Sequence, residues 1–136
     1  MAVKGKYKTL YIFLFVIYMA AVAVLCFLRP ESLPEVDKDT FLGIPIDKIL
    51  HFLMFAPFPV LAGMVFIKRD GRTAANIATM LILAVAGAGI AYGTEVLQSH
   101  TEYRSYEIAD FYADLVGISA GTIAALTYII HIGTRK

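Results

Sequence analysis

Four long apolar runs, separated by short polar stretches, organise this chain. A membrane-spanning helix needs about 20 predominantly apolar residues, and the runs at about 9–28, 47–67, 74–98 and 107–132 each supply that length. The second run contains Pro57 and Pro59, which remove two amide donors and predict a bend near its middle. The connections are Lys68 to Thr73, Ser99 to Tyr106 and a longer segment from Arg29 to Ile46. The last of these holds Pro30, Pro34, Gly43 and Pro45 with the acids Glu31, Glu35, Asp37 and Asp39, and reads as an ordered or partly ordered loop.

Composition supports the same picture. A chain of 136 residues with 59% hydrophobic and 17% charged residues and a mean hydropathy of +0.70 is not an ordinary soluble domain. The expected fold is all-α: one domain over residues 1–136, a polytopic membrane protein with four transmembrane helices in a compact bundle. Lys4, Lys6 and Lys8 precede the first run, as they would in a signal peptide, but its apolar core exceeds the 7 to 15 residues of such segments. Leu25 also stands where a lipoprotein cleavage site before Cys26 would need a small residue, so the run is expected to remain as a helix. Cys26 is the single cysteine, which excludes an intramolecular disulfide and leaves it as a small apolar filler.

Charge sets the expected orientation. Eight Lys and Arg residues lie before the first run, in the Lys68–Thr73 loop and after the fourth run, against four (Arg29, Lys38, Lys48, Arg104) on the other side. The positive-inside rule then places both termini in the cytoplasm and the Asp47, Gln98 and Asp110 ends outside. Tyr103 and Tyr106 sit at that outer boundary and Tyr7 and Tyr11 at the inner one, as aromatic belts would in a chain without tryptophan.

The polar residues within the runs converge on the outer side. Residues four apart share a helix face, which pairs Asp47 with His51 and Asp110 with Asp114; Glu95 and Gln98 share a face as well. His51, Glu95 and Asp114 fall about one turn, roughly 5 Å, inside the boundary. Ionised groups at that depth are costly unless they face the bundle and find partners. The economical arrangement points all three helices' polar groups at one another, with Arg104 or Lys48 offsetting carboxylate charge. Asp47, Glu95, Asp110 and Asp114 against Lys48 and Arg104 leave a formal charge of minus two with His51 neutral.

Acids suit cations or proton transfer, whereas helix N-termini, Lys48, Arg104 and a protonated His51 suit anions. Singly, Asp47 and Asp110 also fit plain helix-start acids, and His51 fits a buried hydrogen-bonding histidine. Glu95 at a helix C-terminus opposes the macrodipole and calls for a cationic partner. His51, Asp47, Glu95 and Asp114 are metal-ligand types, but their spacing matches no zinc or calcium motif, and neither metal nor other cofactor is expected. Gly89-x-x-x-Gly93 and Gly117-x-x-x-Gly121 permit close backbone approach. They predict that the third and fourth helices pack along these stripes, bringing Glu95 near Asp114, or else that one stripe mediates a homo-oligomer.

Asp47-Lys48-x-x-His51-Phe52, Gly93-x-Glu95-x-x-Gln98, Arg104, Asp110 and Gly117-x-x-x-Gly121 resemble, in order and spacing, the signature of VanZ-like membrane proteins over about the C-terminal two-thirds of the chain. Asp114 stands where that pattern often has asparagine, and Phe55 where tyrosine is frequent. The resemblance implies a small multi-pass protein of the bacterial cytoplasmic membrane, related to a protein associated with resistance to the glycopeptide teicoplanin. Fold transfers across a family better than role.

Three functions fit these observations. The first is an outward-facing site that binds or acts on an envelope component, such as a membrane lipid, a cell-wall precursor or another saccharide or peptide headgroup. There His51, Glu95, Asp110 and Asp114 are the candidate acids and bases, and Asp47, Lys48, Gln98 and Arg104 the candidate ligand contacts. The second is a structural or accessory subunit whose polar cluster fixes helix packing. The third, a small proton-coupled transporter, is disfavoured because the first run lacks acids and bases and the deep halves of the others are apolar. Nucleic acid is not an expected partner, and whether any reaction is catalysed stays open.

Overall fold

The computed structural model describes residues 5–28, 40–68 and 70–135. The predicted loop lies outside the described residues from Arg29 to Asp39, as do Lys4, Arg69 and Lys136 of the charge count. Helix α1 spans Gly5–Phe27, a hairpin pairs β1 (Thr40–Phe41) with β2 (Ile44–Pro45), and α2 (Ile46–Phe55), α3 (Pro57–Phe66), α4 (Thr73–Ser99) and α5 (Ile108–Gly133) follow. Since α2 and α3 together make one span, four helical segments among the described residues are long and apolar enough to cross a membrane. The chain is therefore an all-α, multi-pass membrane protein with one small hairpin. Its apolar side chains face outward to an unusual degree. Phe13 and Val24 of α1, Val85 of α4 and Val116 and Ile123 of α5 are all exposed, the surface that lipid tails cover.

The expected bend in the second span is a break between two helices. Pro57 offers no N–H to the Leu53 carbonyl and Pro59 none to that of Phe55, so the hydrogen-bond ladder loses two rungs in succession. Ala56 between them keeps helical angles (φ −60°, ψ −38°) and donates to the Phe52 carbonyl at 2.9 Å. The Tyr18 hydroxyl of α1 donates to the Met54 carbonyl in this donor-poor stretch. Close by, the Phe15 ring packs on Phe58 with centroids 5.9 Å apart. A core of Val22, Cys26, Phe55, Ala91 and Ile118 joins α1, α2, α4 and α5, with Cys26 as apolar filling. Between α3 and α4, the Asn76 side chain accepts from the Lys68 amide and donates to its carbonyl, fastening the connection.

The glycine stripes sort differently from the expectation. Gly117 and Gly121 do not face α4; they seat α5 against the α2–α3 break. A Cβ at Gly117 would fall 2.5 Å from the Phe52 carbonyl oxygen and 3.0 Å from the Ala56 nitrogen, and one at Gly121 would overlap the Ala56 carbonyl and meet Pro59. Gly89 and Gly93 have nothing within 4 Å of the corresponding position. The reason is close backbone packing: the Phe52 and Ala56 main chain and the Pro59 ring fill the space a side chain would need, so only a helix without side chains at that height can approach them. Helices α4 and α5 still adjoin, through other residues.

The hairpin falls where a loop was expected. Leu42 (φ 53°) and Gly43 (φ 79°) both take positive φ, the two-residue turn whose twist suits a tight antiparallel pair. Gly43 adopts this conformation without cost, whereas Leu42 gives up about 1–2 kcal/mol to it. Pro45 then stands as the N-cap residue of α2, so the hairpin determines where that helix starts.

Replacing Gly121 by Val should lower the unfolding free energy in detergent by about 1–3 kcal/mol through overpacking. Gly93→Ala should leave it unchanged or raise it by up to about 1 kcal/mol, and thermal melts of the two variants side by side would check the difference.

Candidate functional site

Two polar layers stack where the head of α2, the tail of α4 and the head of α5 meet. The outer layer is ionic and partly wet. Lys48 reaches Asp47 at 2.7 Å and Glu107 at 2.6 Å and also pairs with Asp110. Asp47 and Asp110 occupy the first turns of α2 and α5, where carboxylates suit the helix dipole. They are not N-cap residues, because Pro45 and Glu107 hold those positions without side-chain caps. Lys48 thus ties the heads of the two helices.

The inner layer is dry. His51, Glu95 and Asp114 are buried, with Glu95 only 1% and Asp114 0% exposed. His51 and Asp114 stand five and six residues beyond the first residues of α2 and α5, about 7–9 Å inside those ends. His51 Nδ1 lies 2.9 Å from Asp114 Oδ1 and 3.9 Å from Glu95 Oε1. With the carboxylate as acceptor, Nδ1 carries the hydrogen, and Nε2 faces Asp110 Oδ2 at 3.6 Å. Asp110 therefore touches both layers, pairing with Lys48 above and His51 below. Among the described residues, Glu95 Oε1 and Asp114 Oδ2 are buried with no hydrogen-bond partner.

The predicted site residues thus divide. His51, Glu95 and Asp114 form the inner layer; Asp47, Lys48 and Asp110 the outer one. Gln98 is buried, but its amide donates to the Cys26 carbonyl at 2.7 Å, clamping the end of α1 to α4. That contact uses one of the two N–H groups of the amide. Arg104 does not neutralise the cluster: among the described residues it makes no ion pair, and Lys48 takes that role through carboxylates nearer the helix heads. Neither cation reaches Glu95, whose nearest basic group is His51. Glu107 escaped the sequence reading as a participant, although its place three residues before Asp110 was a signal that the two share a helix face.

Beside Lys48 a shallow groove of about 280 Å³ runs between α2 and α5, lined by Ile44, Ile49, Phe52, Ala113 and Val116. It opens from the ionic layer onto the lipid-facing surface and carries no polar lining.

Comparison with known proteins places the chain. The family model described as VanZ/LLP1 matches residues 15–131. An uncharacterized protein of Schizosaccharomyces pombe is 32% identical over 88 residues, covering 64% of this chain and 51% of that protein. The chain spans about half the length of this curated relative. No solved structure matches.

Lys48→Met should leave Asp47, Glu107 and Asp110 facing one another. Since Glu107 is half exposed, water limits the loss to about 1–2 kcal/mol. Chemical denaturation in detergent should detect it, with Lys48→Arg restoring most of the stability.

Proposed function

The chain belongs to the VanZ/LLP1 family, and from that membership and the geometry above we propose that its two-layer polar site binds or acts on a headgroup at the outer face of a membrane. The observation that carries this reading is the chain of contacts Asp114–His51–Asp110–Lys48, which links a dry carboxylate–imidazole pair to the wet surface layer. A carboxylate that fixes one imidazole nitrogen leaves the other to exchange a proton with a reacting group or with Asp110. His51 is the proton shuttle in this reading, Asp114 its orienting partner, and Asp110 the group that passes the proton to the surface.

A lipid is the favoured bearer of the headgroup. The apolar groove beside Lys48 accepts an acyl chain whose polar end would then lie over the ionic layer. Arg104, without an ion pair among the described residues, is the cation available to a phosphate. The fission-yeast relative favours a headgroup shared by different kinds of cell over a precursor peculiar to bacterial walls. Residence in a bacterial cytoplasmic membrane and a contribution to glycopeptide resistance are the narrower forms of the proposal that the family resemblance suggests.

A second reading, in which the cluster only holds helices together, draws on Lys48 and Gln98, whose contacts are all interhelical or at helix heads. Transport has less support. Among the described residues the buried acids and bases, Glu95, Asp114 and His51, lie in one layer near one face, with no such group deeper in the bundle.

Glu95→Gln and His51→Ala separate the first two readings. We expect folded yields near wild type with loss of co-purifying lipid in native mass spectrometry and loss of any glycopeptide-susceptibility phenotype in the host. Parallel loss of folding in both variants would leave the structural reading in possession. Orientation has its own check, because Cys26 is the only thiol. On a Cys26→Ala background, Ser105→Cys should react with an impermeant maleimide in intact cells and Thr134→Cys only after permeabilisation, and the reverse pattern would put the site on the cytoplasmic face.

A further inference from the structure

The inner layer contains more buried acceptor than its protein partners satisfy. Glu95 and Asp114 bring two buried carboxylates together, and one oxygen of each has no hydrogen-bond partner among the described residues. Each ionised group held this way costs several kcal/mol. Among the described residues, His51 supplies the one basic side chain within 4 Å of them. Lys48, the nearest cation in the outer layer, is engaged by three other carboxylates.

We propose that His51, Glu95 and Asp114 hold a divalent first-row transition-metal ion of the zinc or manganese class. One ligand atom from each residue lies within 4.8 Å of the others. Donors bonded to a shared ion at about 2.1 Å stand about 3.0–3.5 Å apart, and the His51 Nδ1 separations of 2.9 Å to Asp114 and 3.9 Å to Glu95 bracket that range. Slight closure of the Glu95 side chain completes the set. The donors are an imidazole nitrogen and carboxylate oxygens, which suit zinc, manganese or ferrous iron; calcium demands six or more oxygens. Two carboxylates and a neutral imidazole carry a charge of minus two, which a divalent ion cancels.

The hydrogen now between His51 Nδ1 and Asp114 Oδ1 must leave that position. The neutral imidazole changes tautomer, moving it to Nε2, where Asp110 Oδ2 waits at 3.6 Å. The balance is complete, since one N–H is lost at Nδ1 and one gained at Nε2, with no net proton released. Asp110, itself held by Lys48, then takes over from Asp114 as the orienting partner of the imidazole, as outer carboxylates commonly do for metal-bound histidines, and with the ion bound His51 serves as a ligand in place of a proton shuttle. Three protein donors leave a coordination position for water or a headgroup oxygen. This last point rests on the headgroup reading, but retention of the ion does not.

The test uses full-length protein purified in detergent through a tag without histidine. Elemental analysis and equilibrium dialysis of chelator-treated protein against Zn²⁺ and Mn²⁺ should find about one ion per chain. Glu95→Gln should weaken binding at least 10-fold, and Asp110→Asn, which weakens both the orienting contact and the Lys48 pair that holds it, by about 10-fold to 100-fold. Thr127→Ala, an exposed position on α5 away from both layers, should bind as wild type. Should a variant fold poorly, Co²⁺ loaded into the wild-type protein reports the site directly through visible absorption from a nitrogen- and oxygen-ligated ion. One ion per chain without lipid retention would support the metal site while removing the headgroup reading. No stoichiometric ion in wild type, or equal binding by Glu95→Gln, would overturn the proposal.

Discussion

Ionised side chains removed from water must be neutralised or held by hydrogen bonds, and this requirement shapes the upper third of the bundle. Lys48 answers it for Asp47, Glu107 and Asp110, where solvent still reaches the carboxylates. One turn deeper only His51 is available, and it serves two acids at once. The two layers therefore differ in kind. The outer one resembles a solvated ion-pair network, whose members contribute modestly to stability. In the inner one every atom without a partner costs free energy, which is the condition under which a proton or an ion is held firmly.

That inner layer depends on backbone geometry established elsewhere. His51 rides on a helix that ends at Phe55, and Asp114 on a helix that meets the break through Gly117 and Gly121. A side chain at either glycine would push α5 away from α2 and lengthen the His51–Asp114 contact. The residues that hold the site and those that build it lie one or two turns apart on the same helix, so packing and chemistry are linked through α5. Helix α1 joins through Gln98, whose bond to the Cys26 carbonyl brings the end of the first span to the same level.

Much of this was legible in the chain. Run lengths and the proline pair gave the spans and the interruption, and the i, i+4 spacing of Asp47 with His51 and Asp110 with Asp114 gave the shared faces. Which helix each glycine stripe meets was not legible, because Gly-x-x-x-Gly specifies close approach without naming a partner. The partner is set by how closely the Phe52 and Ala56 main chain and the Pro59 ring come to α5, which is a three-dimensional arrangement. Arg104 misled for a related reason: charge counting treats it as equal to Lys48, whereas only the residue on the first turn of α2 is within reach of the α5 head. The hairpin was hidden because Leu42 is an uncommon choice for a positive-φ turn position.

The interruption between α2 and α3 also has a mechanical side. With two rungs missing from its ladder, the ten-residue outer segment carrying Lys48 and His51 is coupled to the inner segment more loosely than one continuous rod would be. Its near end is anchored in the hairpin, whose Phe41 and Leu42 side chains project outward. A displacement of that apolar tip is carried to the imidazole through α2, while the α3 half of the crossing stays in place.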